Sequence, residues 1–400
     1  MRIVINGAAV ARAEPYGDRA AAIGPEAFAQ AHAEISRWPG YAPTPLQALP
    51  ALAARVGLGA LHYKDESPRF GLNSFKALGG AYATLRAIKR ELLRRGVADA
   101  ATLDDLVARR YAKEVASITI TSATDGNHGR SVAWGAQLFG CRAVIFIHAG
   151  VSENRRAAIA RYGAEVVRVD GGYDDSVRHT FAEARVHGWF VVQDTAKGDY
   201  REAPRDITCG YGVIASEIMQ QMREPPTHVL VQAGVGGVAS AICAQFWIGW
   251  GERPPFVIVL EPMRADCVFQ SIAAGRQVVV AGDLDTVMAG LSCGEVSDLA
   301  WEILREGSDA AIAIDDKLAL DGMRALAQPT GDDTAIVGGE CSGGAVGALL
   351  GLAERPDLRR QLGIDGSSRV LVIGTEGDTD PEIYARVVGR TAAKVRAQRS

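Results

Sequence analysis

Residues 117–138 of the 400-residue chain read SITITSATDGNHGRSVAWGAQL. Ser117 to Thr121 is a short β-branched run that predicts a strand, and Gly129 to Leu138 predicts a helix. Between them lies Thr121-Ser122-Ala123-Thr124-Asp125-Gly126-Asn127-His128-Gly129. Strand-to-helix turns sit at the carboxyl ends of parallel strands, where α/β proteins place their ligands. The two glycines let backbone come close to a ligand. Asp125 offers a carboxylate and Asn127 an amide. Both residue types also cap helices, so the turn by itself reads either way.

Working outward, the same alternation continues. Arg142 to His148 predicts a strand, Glu153 to Tyr162 a helix, Glu165 to Val169 a strand, Ser176 to His187 a helix and Phe190 to Asp194 a strand. Later strands are predicted at His228 to Gln232, Phe256 to Leu260, Ala311 to Ile314 and Val370 to Ile373. Strands separated by helices at this spacing predict an α/β fold of parallel-rich sheets flanked by helices. Ala81 to Lys113 is helical and charged and leads into the compact run of 117–194. The expectation is a smaller inserted α/β domain over residues 81–200, with 1–80 and 201–400 together forming a larger one.

Composition narrows the function classes. The net charge is -4, with 48% hydrophobic and 22% charged residues, which gives no electrostatic reason to expect nucleic acid or an anionic membrane as partner. No run of about 18 apolar residues occurs. Met1 to Arg12 lacks the basic start and apolar stretch of a secretory signal, so a cytoplasmic location is expected. The six cysteines, Cys141, Cys209, Cys243, Cys267, Cys293 and Cys341, form no C-x-x-C pair and have no histidine cluster beside them. They read as free thiols, with no metal site expected.

Three further clusters carry chemistry. Asn73-Ser74-Phe75-Lys76 follows a turn, and Lys76 opens a helical stretch, Ala77 to Arg86, where the helix dipole disfavours a cation. Gln232-Ala233-Gly234-Val235-Gly236-Gly237-Val238 joins a strand to the helix Ala239 to Trp247. Glycines ending at a helix N-terminus suit a phosphate, although the stretch is neither a Walker sequence nor the full dinucleotide fingerprint. Gly374-Thr375-Glu376-Gly377-Asp378 places a hydroxyl and two carboxylates after another strand. Each signal alone also reads as an ordinary lysine or turn. Their order along the chain discriminates.

In that order the segments Asn73-Ser74-Phe75-Lys76, Asp125-Gly126-Asn127-His128-Gly129 and Gly234-Val235-Gly236-Gly237 resemble the fold type II pyridoxal-phosphate enzymes. This is the tryptophan synthase β-subunit group, with threonine dehydratase and serine racemase. The resemblance covers roughly residues 40–380. It implies pyridoxal 5'-phosphate as cofactor, Lys76 as its Schiff-base lysine, Phe75 beside the ring and Asn127 on the ring hydroxyl. It also implies Gly234, Val235, Gly236, Gly237 and Val238 around the phosphate, and Thr375 at the pyridine nitrogen. A hydroxyl there tempers the electron sink and favours elimination.

Within the group, Asp125 in place of the usual serine resembles diaminopropionate ammonia-lyase. So do Tyr63-Lys64-Asp65-Glu66, Gln193-Asp194-Thr195-Ala196 and the pair Cys267 and Cys293, which in that family can form a disulfide. Lys197-Gly198-Asp199 departs from the pattern, which carries a tryptophan in this loop. The resemblance implies elimination of ammonia from D- or L-2,3-diaminopropionate, giving pyruvate and ammonia. Lys76 and Asp125 would be bases on opposite faces, Asp194 would hold the leaving ammonium, and Thr124 and Ser74 would meet the substrate. It also implies a homodimer. A serine/threonine dehydratase, or a lyase of another β-substituted amino acid, is the alternative.

Overall fold

The computed structural model describes residues 1–10, 14–99, 101–124 and 126–399, so Asp125 lies outside the described residues. In chain order the strands are β1 (Arg2–Ile5), β2 (Leu46–Ala48), β3 (Ala60–Asp65), β4 (Thr119–Thr124), β5 (Arg142–His148), β6 (Glu165–Val169), β7 (Phe190–Val191), β8 (His228–Gln232), β9 (Phe256–Pro262), β10 (Ala310–Ile314) and β11 (Arg369–Gly374). The chain divides into two units. The first comprises Met1–Phe28, Ala42–Phe75 and Gly212–Ser400; the second comprises Ala29–Tyr41 and Lys76–Tyr211. No helix of the described residues is long and apolar enough to cross a membrane.

The first unit holds a seven-stranded sheet in the order β1-β10-β9-β8-β11-β3-β2. Its five central strands run parallel, and β1 and β2 close the edges antiparallel. Strands covered on both faces read as continuous apolar runs. AAIAI of β10 is such a run, and VLV forms the centre of β8, HVLVQ; both strands are buried throughout. Leu230, Ile258, Ile312, Val370 and Val372 form the core on one face with Val346 and Leu349 of the helix Glu340–Ala353.

The second unit holds a four-stranded parallel sheet in the order β6-β5-β4-β7. The helices Asn127–Phe139, Glu153–Ala160 and Tyr173–His187 connect its strands. Helix Lys76–Arg94 packs on Asn127–Phe139 and on the first part of Glu202–Gln221 at distances only glycine permits. A Cβ on Gly80 would lie 2.0 Å from Ser131 Oγ, and one on Gly210 would lie 2.2 Å from the Leu78 carbonyl.

One strand is shorter than its sequence suggests. Phe190 to Asp194 reads as a strand, but β7 ends at Val191 because it pairs with β4 only at Ile120 and Thr121. Gln193 and Asp194 then lie in a loop.

The first unit also contains a dry cluster of four charges. Arg69 Nη1 lies 2.7 Å from Glu217 Oε1 and Arg69 Nη2 2.8 Å from Glu66 Oε1. Lys64 Nζ lies 2.7 Å from Glu217 Oε2 and also donates to the Thr44 carbonyl and Gln221 Oε1. All four side chains are at most 1% exposed. Burial alone would raise the Glu217 carboxyl, but Arg69 and Lys64 hold it at about 2. Burial pushes the Lys64 ammonium below its ordinary range, against the pull of Glu66 and Glu217. A buried pair that loses one member leaves an uncompensated charge. Arg69→Met is therefore expected to cost about 3–5 kcal/mol in chemical denaturation. Arg37→Ala, which removes only the exposed pair with Asp104, is expected to cost less than about 1 kcal/mol.

Candidate active site

Open parallel sheets bind ligands beyond the carboxyl ends of their strands, where strand order reverses. Each sheet here has such a point. In the second unit the order runs outward from β4 through β5 to β6, while β7 lies on the other side of β4. The residues following β4 and β7 are Asp125 to His128 and Val192 to Thr195. In the first unit the order runs from β8 through β9 to β10, while β11 lies on the other side of β8. The residues following β8 and β11 are Ala233 to Gly236 and Thr375 to Asp378.

In the second unit, Lys76 is the first residue of helix Lys76–Arg94. Its Nζ donates to Asp194 Oδ2 at 2.7 Å, with 19% and 13% of the two side chains exposed. It also lies 5.8 Å from the centroid of the buried Tyr211 ring. Burial would raise the Asp194 carboxyl, but the Lys76 ammonium and His128 draw it well below the usual carboxylate range. Asp194 is thus ionised. Thr124 is buried, and its Oγ1 accepts from the amides of Gly126 at 2.9 Å and Gly129 at 3.0 Å. The hydroxyl proton is what Thr124 has left to offer a substrate. Asn127 opens the next helix and its Oδ1 accepts from Arg130 Nη2 at 2.8 Å. A ligand contact from Asn127 would therefore be a donation from Nδ2.

In the first unit, backbone pairing joins two of the sequence clusters. The Phe75 amide donates to the Thr375 carbonyl at 3.0 Å, the Gly377 amide donates to the Asn73 carbonyl at 3.0 Å, and Ser74 bridges to Glu376. Ser74 and Phe75 are buried there. Gly236, with φ of 92°, takes the left-handed conformation and caps helix Gly237–Trp250. A Cβ on Gly234 would lie 2.9 Å from Cys293 Sγ and 3.0 Å from the Gly290 carbonyl. The first amides of the helix, from Gly237 through Val238, have no acceptor within it. Val238 is itself buried. On the neighbouring strand, Thr375 Oγ1 is buried without a hydrogen-bond partner among the described residues. An orphaned hydroxyl and a loop of outward amides at adjacent strand ends fit a group with an aromatic nitrogen and a phosphate.

Several residues in these surroundings carried no sequence signal of their own. Tyr211 lies deep in a helical run, and Arg130 follows the quoted turn. Glu261, at the end of β9, accepts from the amides of Val268 at 2.9 Å and Phe269 at 2.6 Å, and burial pushes its carboxyl up to about 8. Cys267 Sγ lies 3.6 Å from both Glu261 Oε1 and the Gly234 carbonyl. Cys267 and Cys293 are free thiols in this structure, as are the other four cysteines.

Comparison with known proteins bears on the family. The pyridoxal-phosphate dependent enzyme family matches residues 37–376. The diaminopropionate ammonia-lyase of Escherichia coli (strain K12) is 42% identical over 372 residues, covering 90% of this chain and 92% of that one. That of Salmonella typhimurium is 41% identical over 366 residues, covering 88% and 90%. The crystal structure of the Escherichia coli enzyme in complex with D-serine superposes with a TM-score of 0.86 at 37% identity, covering 97% of this chain and 96% of that one. A fold type II architecture, cofactor-type strand ends and identity over nearly the full length converge: the chain belongs to the diaminopropionate ammonia-lyases, within the pyridoxal-phosphate dependent enzymes.

Proposed function

We propose that the protein eliminates ammonia from the β-carbon of D-, L- or both enantiomers of 2,3-diaminopropionate, giving pyruvate and a second ammonia after hydrolysis. The observation that carries this reading is the 2.7 Å pair between Lys76 Nζ and the ionised carboxylate of Asp194, at the carboxyl edge of a parallel sheet. Pyridoxal phosphate, when bound, supplies an electron-withdrawing ring joined to the substrate nitrogen, which acidifies the α C–H. In this proposal Lys76, Phe75, Asn127, Gly234 to Val238 and Thr375 hold the cofactor.

The chain's own residues then have distinct tasks. Lys76, once its amine is free, takes the α-proton of the L-substrate. Asp125, whose side chain replaces a serine of related enzymes, takes it from the opposite face of the D-substrate. Asp194, kept as a carboxylate, binds a cation. It steadies the Lys76 ammonium after proton abstraction and holds the β-ammonium of the substrate, a group that serine and threonine lack. Ser74 and the proton of the Thr124 hydroxyl orient the substrate carboxylate. A carboxylate beside the leaving group favours diaminopropionate over the hydroxy amino acids of a dehydratase. We also propose that the chain works as a homodimer in the cytoplasm. The first rests on the family resemblance and predicts a sedimentation mass of twice the chain. Six free thiols, as expected in a reducing compartment, support the second.

The deciding experiment is pyruvate release by the cofactor-loaded protein with D- and L-2,3-diaminopropionate, L-serine and L-threonine compared side by side. Turnover of diaminopropionate well above both hydroxy amino acids is expected; turnover of serine or threonine alone would make the protein a dehydratase. Lys76→Ala is expected to abolish both turnover and the visible absorption of the bound cofactor, and a band that persists would assign the cofactor to another lysine. Asp125→Asn is expected to lower kcat/KM on the D-substrate by about 100-fold or more, and on the L-substrate far less. Equal losses would remove the two-face assignment.

A further inference from the structure

We propose that Tyr200 is a positioning residue for the elimination: its phenol latches the backbone of residues 191–193 and thereby holds Asp194 against Lys76. This rests on the roles given above to Lys76 and Asp194. The need for a latch follows from the short β7. Beyond Val191 the segment keeps, among the described residues, one backbone-to-backbone bond to the sheet, from the Val192 amide to the Thr121 carbonyl at 2.8 Å. Asp194 comes two residues later, where a ladder no longer sets its direction.

Side chains take over. Tyr200 Oη accepts from the Gln193 amide at 2.9 Å and donates to the Val191 carbonyl at 3.0 Å. One hydroxyl thus closes the backbone on both sides of Val192. His128 Nε2 donates to the Val192 carbonyl at 2.8 Å. The Gln193 Oε1 accepts from Ser122 Oγ at 3.0 Å and from the Ala123 amide at 3.2 Å, while its Nε2 donates to Tyr173 Oη at 2.6 Å. Gln193 is therefore pinned at backbone and side chain, and Asp194 follows it directly.

Tyr200 reaches this position through the turn that departs from the family pattern. Lys197 and Tyr200 bond to each other through both backbone pairs, at 3.3 and 3.1 Å, around Gly198 and Asp199. The Tyr200 ring meets Phe181 of helix Tyr173–His187 edge-on, with centroids 5.1 Å apart. The titratable groups that act on Asp194 are Lys76 and His128, and the Asp194 carboxylate in turn acts on the phenols of Tyr211 and Tyr200. Loss of the hydroxyl leaves the Gln193 amide and the Val191 carbonyl without this partner and frees the loop to shift. A displacement of about 1 Å at a reacting group costs up to about 100-fold in rate.

Tyr200→Phe keeps the ring and removes the hydroxyl. Phe181→Leu weakens the ring's packing and keeps the hydroxyl. Both are compared as full-length protein loaded with pyridoxal phosphate. Tyr200→Phe is expected to lower kcat on 2,3-diaminopropionate by about 10- to 100-fold, with KM changed less than about threefold. Phe181→Leu is expected to lower Tm while keeping kcat within about threefold. In the unloaded protein, Tyr200→Phe is expected to capture added pyridoxal phosphate about threefold faster at neutral pH, read from visible absorbance, because Asp194 no longer holds the Lys76 ammonium. A kcat that falls with Tm alike in both variants, with capture unchanged, overturns the proposal. Asp194→Asn separates its failure from that of the underlying reading. If Asp194→Asn keeps wild-type kcat, the role of Asp194 fails and the latch with it. If Asp194→Asn loses turnover while Tyr200→Phe keeps it, the role of Asp194 stands and the latch is wrong.

Discussion

Two cations and two anions share one dry space at the end of β3, and the path of the chain toward Lys76 follows from it. Lys64, Glu66, Arg69 and Glu217 cancel one another in charge and are almost wholly buried. Such a cluster gains little stability over apolar side chains, because desolvation offsets attraction. It restricts geometry instead: the planar guanidinium of Arg69 accepts few arrangements of two carboxylates. The segment beyond it is strained, with Phe70 and Asn73 at φ of 49° and 53°, a region non-glycine residues avoid. It persists because both ends are tied, Arg69 to the cluster and Asn73 and Phe75 to the strand-end loop of β11. The next residue is Lys76.

The two sheets use the same device. Each reverses strand order at one point, and the loops there are free of crossover helices on one side. The small sheet carries Asn127 and Asp194 at its reversal and the large sheet carries Gly234 and Thr375 at its own. Glycine serves these places for different reasons. Gly236 is needed for its backbone conformation, whereas Gly80 and Gly210 are needed because a neighbouring helix lies where a Cβ would be.

Legibility followed burial. Strands β5 and β8 have the bounds their apolar runs predict, since a strand covered on both faces is apolar along most of its length, and the edge strand β6, EVVRV, has its expected bounds through its β-branched residues. Edge strands β1 and β2 and the charged β3, ALHYKD, carry no such pattern and went unread. The early end of β7 is equally invisible in FVVQD, because a partner two residues long ends it and not its own composition. The loops quoted around Asn127, Gly234 and Thr375 were recognisable as strand-to-helix or strand-end turns, since glycine, asparagine and aspartate cluster there for local backbone reasons. The surroundings of Asp194 were not. Gln193 meets Tyr173 and Val192 meets His128 across 20 and 64 residues, and Tyr200 meets Gln193 seven residues on through a side-chain hydroxyl, none of which a local pattern encodes.

By itself the sequence determined the α/β class, because that depends on periodicity along the chain, and the resemblance of its motifs to a known family implied the family and the kind of cofactor. Only the tertiary structure decided which carboxylate stands beside Lys76, that the Thr375 hydroxyl has no hydrogen-bond partner among the described residues, and which tyrosine closes the loop. Those outcomes are set by where side chains meet in space, across 118 residues for Lys76 and Asp194 and across nine for Tyr200 and Val191, and a few ångströms there separate an ion pair from a solvated side chain.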